Sequence, residues 1–289
     1  MTAPVKILVT GGNGQLASEL KELAVNYTNV SFVFFDRSEL SISDHNELEK
    51  IFKIHQPQYF INCAAYTAVD KAEEEKETAF AINGTAVGTI AELCQSHNCK
   101  LIHISTDYVF NGKATTPLDE TETVDPVNAY GESKLMGERL AFEKNPETIV
   151  IRTSWVYSFY GKNFVKTMMR LMKEKENINV VSDQVGSPTY AADLARVIME
   201  IITNGNWVPG IYHYSNDGAI SWFDFAIEIK KLIHSTCVVN PITTSQFPTP
   251  AKRPAYSVMD KTKIQHTFGV QLLNWRESLQ KCISKLSLN

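Results

Sequence analysis

The 289-residue sequence has few cysteines, and the five that it has are scattered along the chain. Cys94 and Cys99 have no further Cys or His at the spacing of a zinc site, so we expect them to pack in the core. Thiols in this number and arrangement are typical of reduced cysteines in a cytoplasmic protein. The cysteine content therefore argues against a disulfide scaffold or a zinc domain.

Long apolar runs and an excess of positive charge are also missing. No apolar stretch approaches the about 20 residues that span a bilayer, so we expect no membrane partner. There are 28 Lys and Arg against 32 Asp and Glu, and the net charge of −4 argues against nucleic-acid binding. The first residues, MTAPVKILVTGG, enter a strand pattern without a signal-peptide layout, which favours a cytoplasmic location.

Short apolar runs alternate with longer helical patterns in the first half of the chain. The runs are apolar on both faces, as in parallel strands covered by helices. The predicted strands are 5–10, 30–35, 59–64, 100–105 and 148–154, and the helices between them are 15–25, 44–55, 71–97 and 129–144. This order predicts an α/β protein with a Rossmann-type, doubly wound parallel sheet.

The second half is less regular. We predict helices at 163–175, 190–204, 221–233 and 273–286, a strand at 211–215, and mainly loop with short strands at 238–259. We therefore expect an NAD(P)-binding Rossmann domain over 1–155. Residues 156–289 should form a smaller C-terminal region that mainly binds substrate, with about 180–216 returning to the sheet.

A glycine-rich turn follows the first predicted strand and opens a helix. Gly11 and Gly14 have no Cβ, so the backbone can turn tightly and approach a pyrophosphate closely. The following helix N-terminus, beginning with Gln15 and Leu16, offers free N–H groups to an anion. This arrangement predicts a dinucleotide cofactor at the first strand.

The second predicted strand ends at Asp36 and Arg37, where the adenosine ribose of such a cofactor is expected. The Asp36 carboxylate would accept hydrogen bonds from the ribose hydroxyls of NADH and repel a 2′-phosphate. The Arg37 guanidinium would attract that phosphate. The choice between NADPH and NADH is therefore open, and we predict use of both with modest discrimination.

A Tyr-x-x-x-Lys spacing at Tyr130 and Lys134 is short enough to occur by chance, but its context favours chemistry. The pair opens a helix, so both side chains can face one site. Thr106 lies at the carboxyl end of the preceding strand, where ligands bind in open α/β sheets. We expect Tyr130 to protonate a carbonyl oxygen during hydride transfer, Thr106 to donate a hydrogen bond to it, and Lys134 to lower the pKa of the phenol.

These motifs resemble the extended short-chain dehydrogenases/reductases, and several longer stretches resemble the dTDP-4-dehydrorhamnose reductase family. The matching stretches are GGNGQLASEL (11–20), NCAAYTAVDKAE (62–73), STDYVFNG (105–112), PVNAYGESKLMGE (126–138), IRTSWVYS (151–158) and DQVGSPTYAADLA (183–195). The resemblance covers essentially the whole chain. It implies reduction of the 4-keto group of dTDP-4-dehydro-L-rhamnose to dTDP-L-rhamnose with NAD(P)H.

The resemblance also implies roles for individual residues. Gly14, Gln15 and Leu16 would line the pyrophosphate. Tyr130 would donate the proton and also contact the cofactor, and Lys134 would hold the cofactor. The resemblance also implies that Ala65, Tyr66 and Thr67 contact the cofactor, and that Ser41 and Ile42 lie beside its adenine. The residues implied to contact the nucleotide-sugar substrate are Thr67, Val69, Thr106, Asp107 and Trp155.

The chain departs from the family pattern at two points. Ser41 stands where the family often has Asp, which changes the expected hydrogen bond to adenine. Family members with Mg²⁺ at a dimer interface use several carboxylates, of which only Glu19 has a match here. The sequence therefore supports no metal site, and a homodimer is left open by the resemblance.

Two other functions fit the same fold. A nucleotide-sugar epimerase or dehydratase would share the Tyr–Lys pair, although a dehydratase usually has an acidic pair after the strand threonine, and here Asp107-Tyr108 follow Thr106. A non-catalytic regulatory relative is the second alternative. The complete set of Thr106, Tyr130 and Lys134 favours an enzyme over such a subunit.

Overall fold

The computed structural model describes residues 4–288. Its strands are β1 (Val5–Thr10), β2 (Val30–Phe35), β3 (Tyr59–Asn62), β4 (Lys100–Thr106), β5 (Ile149–Thr153), β6 (Val156–Tyr157), β7 (Asn177–Val181), β8 (Val185–Gly186), β9 (Thr189–Tyr190), β10 (Gly210–His213), β11 (Ile220–Ser221) and β12 (Val238–Ile242). Its helices are α1 (Gln15–Leu23), α2 (His45–His55), α3 (Lys76–Phe80), α4 (Ala86–Ser96), α5 (Ala129–Lys144), α6 (Phe164–Glu174), α7 (Ala191–Thr203), α8 (Trp222–Leu232), α9 (Thr262–Phe268) and α10 (Trp275–Ser287). None of the helices in 4–288 is long and apolar enough to cross a membrane.

The main sheet has six parallel strands in the order β2-β1-β3-β4-β5-β10. The chain runs outward from β1 to β2 and then crosses back to β3, so the order reverses between β1 and β3. Ligands of open α/β sheets bind in the crevice at the carboxyl ends of the strands where such a reversal occurs. The predicted Rossmann-type sheet is confirmed, and the topology identifies the edge that should hold a site.

Alternate residues of each strand face opposite layers of helices, because successive side chains of a strand point to opposite faces. On one face Ile7 and Val9 are fully buried in a core that also contains residues of α1 and α7. On the other face Leu8 and Phe60 are fully buried with residues of α2, α4 and α5. The central strands β1 and β3 are therefore covered on both sides, as their continuous apolar sequences predict.

A second core forms outside the main sheet. It joins α6, α8 and α10 with the small sheets β7–β12 and β6–β9, and Trp275 and Phe225 are buried in it. The two-residue strands in this region and α9 were absent from the sequence prediction. Segments this short carry too little periodicity to be recognised.

The prediction of one helix over 71–97 is wrong. The structure has a 3₁₀ turn (Lys71–Glu73), α3, a π-helical turn (Ala81–Thr85) and then α4. The π turn contains Asn83, whose side chain accepts a hydrogen bond from Tyr66 N at 2.8 Å and donates one to Tyr66 O at 3.0 Å. A residue that satisfies a neighbouring loop in this way interrupts a regular helix, and such turns are frequent at functional sites.

Helix α5 begins at Ala129, as predicted, because the Asn128 side chain accepts a hydrogen bond from Gly131 N at 2.8 Å. Its glycines allow close packing. A Cβ on Gly131 would lie 2.2 Å from Tyr108 O, and one on Gly137 would lie 2.1 Å from Asn83 O. The helix therefore lies directly against the segment that follows β4.

A buried ion pair fixes α5 to the sheet. Arg152 of β5 donates to Glu138 through Nη2 at 2.7 Å and through Nε at 3.0 Å, and Ser105 of β4 donates to the same carboxylate at 2.5 Å. Both charged side chains are at most 3% exposed. Breaking such a pair leaves one charge buried and uncompensated.

We expect Glu138→Leu to lower the free energy of unfolding by about 3 kcal/mol, because Arg152 would keep its charge without a partner. Chemical denaturation measures the change. The control is Glu143→Leu on the same helix, whose partner Lys144 is exposed and whose loss should cost less than about 1 kcal/mol. If Glu138→Leu and Glu143→Leu were equally stable, the buried pair would not anchor α5.

Candidate active site

A cavity of about 1010 Å³ opens at the carboxyl edge of the main sheet. Every residue that the sequence singled out for a site lies in its wall. They are Gly11, Gly14, Gln15, Leu16, Asp36, Arg37, Ser41, Ile42, Ala65, Tyr66, Thr67, Val69, Thr106, Asp107, Tyr130, Lys134 and Trp155. The fold thus brings these separated segments together around one space, and their individual roles stay predictions.

The glycine turn forms a cradle that fits a pyrophosphate. Gly11 has a φ of +71°, and a Cβ there would lie 2.9 Å from Ala64 N, so a side chain is excluded by conformation and by space. Gly14 is the N-cap of α1 without a side-chain cap, and the first turn of the helix contains no acidic residue. The N–H groups of this helix end are therefore open to an anion in the cavity.

The Asp36 carboxylate is held by its own chain. Its Oδ1 accepts from Ser38 N at 2.7 Å and Ser38 Oγ at 2.6 Å, and its Oδ2 accepts from Asn13 Nδ2 at 2.6 Å. The hydrogen bonds from Ser38 are the main cause that lowers the pKa of Asp36. Arg37 is exposed beside it, and among the described residues its guanidinium has no carboxylate partner. The cavity wall at the end of β2 therefore offers a free guanidinium and an occupied carboxylate.

Ser41 and Ile42 contribute backbone and apolar contact to this end of the cavity. Ser41 N donates to Glu47 Oε2 at 3.0 Å, and Ile42 is buried among residues of α2. Asp44 caps α2, because its side chain accepts hydrogen bonds from Asn46 N and Glu47 N. The Glu47 side chain reaches Ser41 instead of completing a capping box at Asp44, which stiffens the loop beside the expected adenine position.

At the other end of the cavity, Tyr130 lies beside Thr106 and Asp107. The Tyr130 and Tyr108 rings meet edge to face with centroids 5.5 Å apart. Thr106 Oγ1 donates to Asp107 Oδ1 at 3.1 Å. The other carboxylate oxygen of Asp107, Oδ2, is buried without a hydrogen-bond partner among the described residues. Burial raises the pKa of Asp107 to about 6, and the hydroxyls of Ser257 and Thr106 beside the carboxylate oppose the rise.

Lys134 is 1% exposed and lies in the cavity wall. It donates to Ile104 O of β4 at 2.6 Å, and it lies 3.4 Å from Nε2 of His103. Burial lowers the pKa of Lys134 to about 8, and the charge of Glu138 opposes that change. The ammonium is therefore fixed by the sheet, and its charge is sensitive to pH near neutrality.

The expected lowering of the Tyr130 pKa by Lys134 is not found. Burial raises the pKa of Tyr130 to about 12, the Thr106 hydroxyl lowers it in part, and the charge of Asp107 adds to the rise. Desolvation of the phenol outweighs any effect of the ammonium, which is bonded to Ile104 O. The phenol therefore keeps its proton at neutral pH, which suits a group that must donate one.

Trp155 has an unusual backbone conformation, and one face of its indole ring is covered by another side chain. Its φ is +47°, in the left-handed region that side chains other than glycine seldom adopt. Its indole stacks on Trp222 with centroids 3.6 Å apart and an angle of 10° between the planes. The strained backbone turns the ring into the cavity wall, where one face contacts Trp222.

The sequence reasoning missed other residues of the wall. Asn13 could have been found from its place inside the glycine turn, and Tyr108 from its place two residues after Thr106. Cys63 follows β3, and burial raises the pKa of its thiol to about 12. Lys162 lies on a loop of the second half that carries no motif.

Glu19 has partners within the chain. It accepts a hydrogen bond from Ser158 at 2.5 Å, and its carboxylate lies 3.8 Å from the ammonium of Lys285. Burial nevertheless raises the pKa of Glu19. Within 4–288 no cluster of three or more His, Cys, Asp or Glu side chains is arranged to hold a metal ion.

The parallel sheet, the glycine cradle and the Thr–Tyr–Lys set at one cavity define the class of the protein. It is an extended short-chain dehydrogenase/reductase, an enzyme that uses a nicotinamide cofactor. The UDP-glucose 4-epimerase of Thermus thermophilus shares the fold at a TM-score of 0.83 and 17% identity.

Comparison with known proteins narrows this class. The model of the RmlD substrate binding domain matches residues 5–288. A dTDP-4-dehydrorhamnose reductase of Aggregatibacter actinomycetemcomitans is 42% identical over 95% of this chain and 97% of that protein. Crystal structures of dTDP-4-dehydrorhamnose reductases from Clostridium acetobutylicum (42% identity, 98% of this chain and 100% of that one) and from Bacillus anthracis in complex with NADP (39%, 98% and 99%) both superpose with a TM-score of 0.94. The chain belongs to the dTDP-4-dehydrorhamnose reductase family.

Proposed function

We propose that the protein reduces the 4-keto group of dTDP-4-dehydro-L-rhamnose to dTDP-L-rhamnose, the last step of dTDP-L-rhamnose synthesis. The observation that carries the proposal is the position of Thr106, Tyr130 and Lys134 in one cavity wall with the glycine cradle of Gly11 and Gly14. Membership of the family supports the substrate. The enzyme is an NAD(P)H-dependent oxidoreductase.

When the cofactor is bound with its pyrophosphate in the cradle, its reduced nicotinamide would supply the hydride. The chain supplies the proton and the geometry. With substrate bound, the Thr106 hydroxyl turns from Asp107 Oδ1 to donate a hydrogen bond to the substrate carbonyl oxygen. Tyr130 transfers its proton to that oxygen as negative charge develops. The raised pKa of Tyr130 keeps the phenol protonated until then. Lys134 holds the cofactor ribose from its buried position.

The sugar is proposed to bind between Asp107 and Trp155. Asp107 Oδ2 is a buried acceptor without a partner in the described part of the chain, so a sugar hydroxyl that donates to it would satisfy it. Trp155 offers an aromatic edge at the wall, while its stack with Trp222 fixes its orientation. Thr67 and Val69, which the family resemblance assigns to the substrate, line the same cavity.

A coupled assay tests the function directly. The expected result is loss of reduced nicotinamide absorbance that depends on added dTDP-4-dehydrorhamnose. An epimerase would convert a nucleotide sugar without net oxidation of the cofactor, and a regulatory relative would show no turnover. Either outcome would overturn the proposal.

The occupied Asp36 carboxylate and the free Arg37 guanidinium favour NADPH, and use of both cofactors stays our prediction. Arg37→Ala should weaken NADPH binding about tenfold and leave NADH binding nearly unchanged, because only NADPH carries the 2′-phosphate. Titration of each cofactor, followed by fluorescence, measures both affinities. The control is Arg139→Ala, an exposed arginine on α5 away from the cavity. Equal weakening of both cofactors by Arg37→Ala would show that Arg37 does not contact the phosphate.

The domain division, location and assembly are also proposals. The second core supports a division into a cofactor-binding domain over 1–155 and a substrate-binding region over 156–289. The pairing of β10 with β5 supports the return of about 180–216 to the main sheet. A cytoplasmic location is supported by the cysteines, which form no disulfide within 4–288. A homodimer stays a prediction from the family resemblance.

A further inference from the structure

A row of polar side chains crosses the buried face of the main sheet under α5. Thr10 of β1 is paired in register with Asn62 of β3, and Asn62 is paired with His103 of β4. All three side chains are at most 1% exposed. A buried polar group lowers stability unless it is hydrogen-bonded, so three adjacent ones in an apolar sheet are expected to bond to one another or to serve a function.

The row is a continuous hydrogen-bonded chain that ends at Lys134. Thr10 Oγ1 lies 2.7 Å from Asn62 Oδ1, and Asn62 Nδ2 lies 3.1 Å from His103 Nδ1. His103 Nε2 lies 3.4 Å from Lys134 Nζ. The chain therefore leads from the strand before the glycine cradle to the lysine of the active site.

The imidazole has one donor nitrogen and one acceptor nitrogen as long as it is neutral. Burial and the Lys134 charge lower the pKa of His103 well below its usual value, so the ring is neutral near pH 7. The His103 nitrogen that faces Lys134 must accept a hydrogen bond when the lysine is charged, and it can donate one when the lysine is neutral. A charged ammonium only donates, whereas a neutral amine also accepts.

Two arrangements of the chain are consistent with these distances, and the Asn62 amide as oriented, with Oδ1 toward Thr10 and Nδ2 toward His103, corresponds to the one with neutral Lys134. With Lys134 charged, its ammonium donates to His103 Nε2, His103 Nδ1–H donates to Asn62 Oδ1, and the Asn62 amide donates to Thr10. With Lys134 neutral, all three bonds reverse after a rotation of the Asn62 amide: Thr10 donates to Asn62, Asn62 to His103 Nδ1, and Nε2–H to the amine. An amide has nearly the same shape in both orientations, so either fits the same site.

We propose that Thr10, Asn62 and His103 form a positioning chain for Lys134, in which His103 accepts a hydrogen bond from the charged lysine and changes tautomer when the lysine loses its proton. His103 is a positioning residue because it acts through Lys134. With Nζ also bonded to Ile104 O, two of the three ammonium protons have acceptors within the chain and one is left for a ligand. This inference rests on the proposed function for its kinetic consequences only.

The lysine is the group that titrates in the relevant range. The groups whose charges act on it are Glu138, one turn along α5, and Cys63, at the end of β3. Glu138 is bonded to Arg152 of β5, and the pKa of the Cys63 thiol is raised to about 12 by burial. The pKa of Lys134, lowered to about 8, therefore sets the pH at which the chain should reverse.

Nitrogen NMR of isotopically labelled histidine tests the chain in the wild-type protein, without substrate. The signal absent from the His103→Gln spectrum belongs to His103, one of seven histidines. We expect it to change from the Nδ1–H to the Nε2–H form with a midpoint near the Lys134 pKa of about 8, and we expect no such midpoint in Lys134→Met. A single tautomer throughout, or an imidazolium at neutral pH, would overturn the inference.

Two variants test the kinetic consequence. The glutamine of His103→Gln places an amide oxygen near the Nε2 position and should keep kcat within about twofold of wild type. The shorter side chain of His103→Asn reaches only Asn62 and should lower kcat about tenfold at saturating cofactor. Equal kcat values in the two folded variants would contradict the positioning role. If the wild-type protein does not turn over the keto sugar, the proposed function is wrong. The NMR experiment still tests the positioning chain, because it needs no substrate.

Discussion

Replacing Tyr130 with phenylalanine is expected to lower kcat by about 10²–10⁴-fold, the usual contribution of a positioned general acid. Phenylalanine keeps the ring that meets Tyr108 edge to face and removes only the hydroxyl. Cofactor affinity should barely change, because the Tyr130 hydroxyl is one of many proposed cofactor contacts, most of which lie in the glycine cradle, after β2 and β3, and at Lys134. The measurement is kcat at saturating keto sugar and NADPH, together with the affinity for NADPH alone.

The matched control is Tyr59→Phe. Tyr59 begins β3 at the opposite edge of the sheet from the cavity, so its hydroxyl should have no influence on kcat. The pH dependence adds a second criterion. Since burial raises the pKa of Tyr130 to about 12, the phenol stays protonated throughout the neutral range, and its own titration should not limit the reduction there. A Tyr130→Phe enzyme with nearly normal kcat would exclude Tyr130 as the proton donor.

Replacing Lys134 with methionine is expected to lower kcat by about 10²-fold and to weaken cofactor binding as well. Methionine fills a similar volume but cannot donate to Ile104 O or to the cofactor ribose. The pH profile of kcat distinguishes the loss of the ammonium charge from a loss of packing. The wild-type lysine loses its charge as the pH rises through its pKa of about 8, so wild-type activity should decline above that pH. The Lys134→Met enzyme should have a low kcat both below and above that pH.

The controls for Lys134 separate catalysis from stability. Lys144→Met removes an exposed ammonium from the end of the same helix and should leave kcat and its pH profile unchanged. Thermal unfolding of Lys134→Met reports the cost of the lost hydrogen bond to Ile104 O. Full recovery of kcat at saturating cofactor would make Lys134 a binding residue only.

The strands that build the site were predictable because their sequences are buried on both faces. The predicted bounds of β1 and β2 agree with the structure, and that of α5 is exact at both ends. The glycine turn and the Tyr–Lys spacing placed the cavity correctly, since both occur where the topology of a parallel sheet directs ligands.

The polar layer beneath α5 was not predictable. The sequence KLIHIS indicates a buried strand, and nothing local distinguishes His103 from a core residue. Its partner Asn62 is 41 residues away, and Thr10 is 52 residues from Asn62. Only the register of the sheet brings them together. The direction of the Tyr130 pKa shift was missed for a related reason, because the sequence does not reveal how deeply the phenol is buried.

The π turn at 81–85 also has a consequence for insertions and deletions in this chain. It holds one residue more per turn than an α-helix, and that residue brings Asn83 to the Tyr66 backbone and, through Nδ2, to Ser133 Oγ at 3.0 Å. A single deletion there would restore a regular helix and rotate everything before it by about 100° relative to α4. Local helical stability would rise while the loop after β3 lost its link to α5. The length of this segment is therefore constrained, and so are three of its side chains: Ile82 in the cavity wall, Asn83 at Tyr66, and Gly84 against Met136.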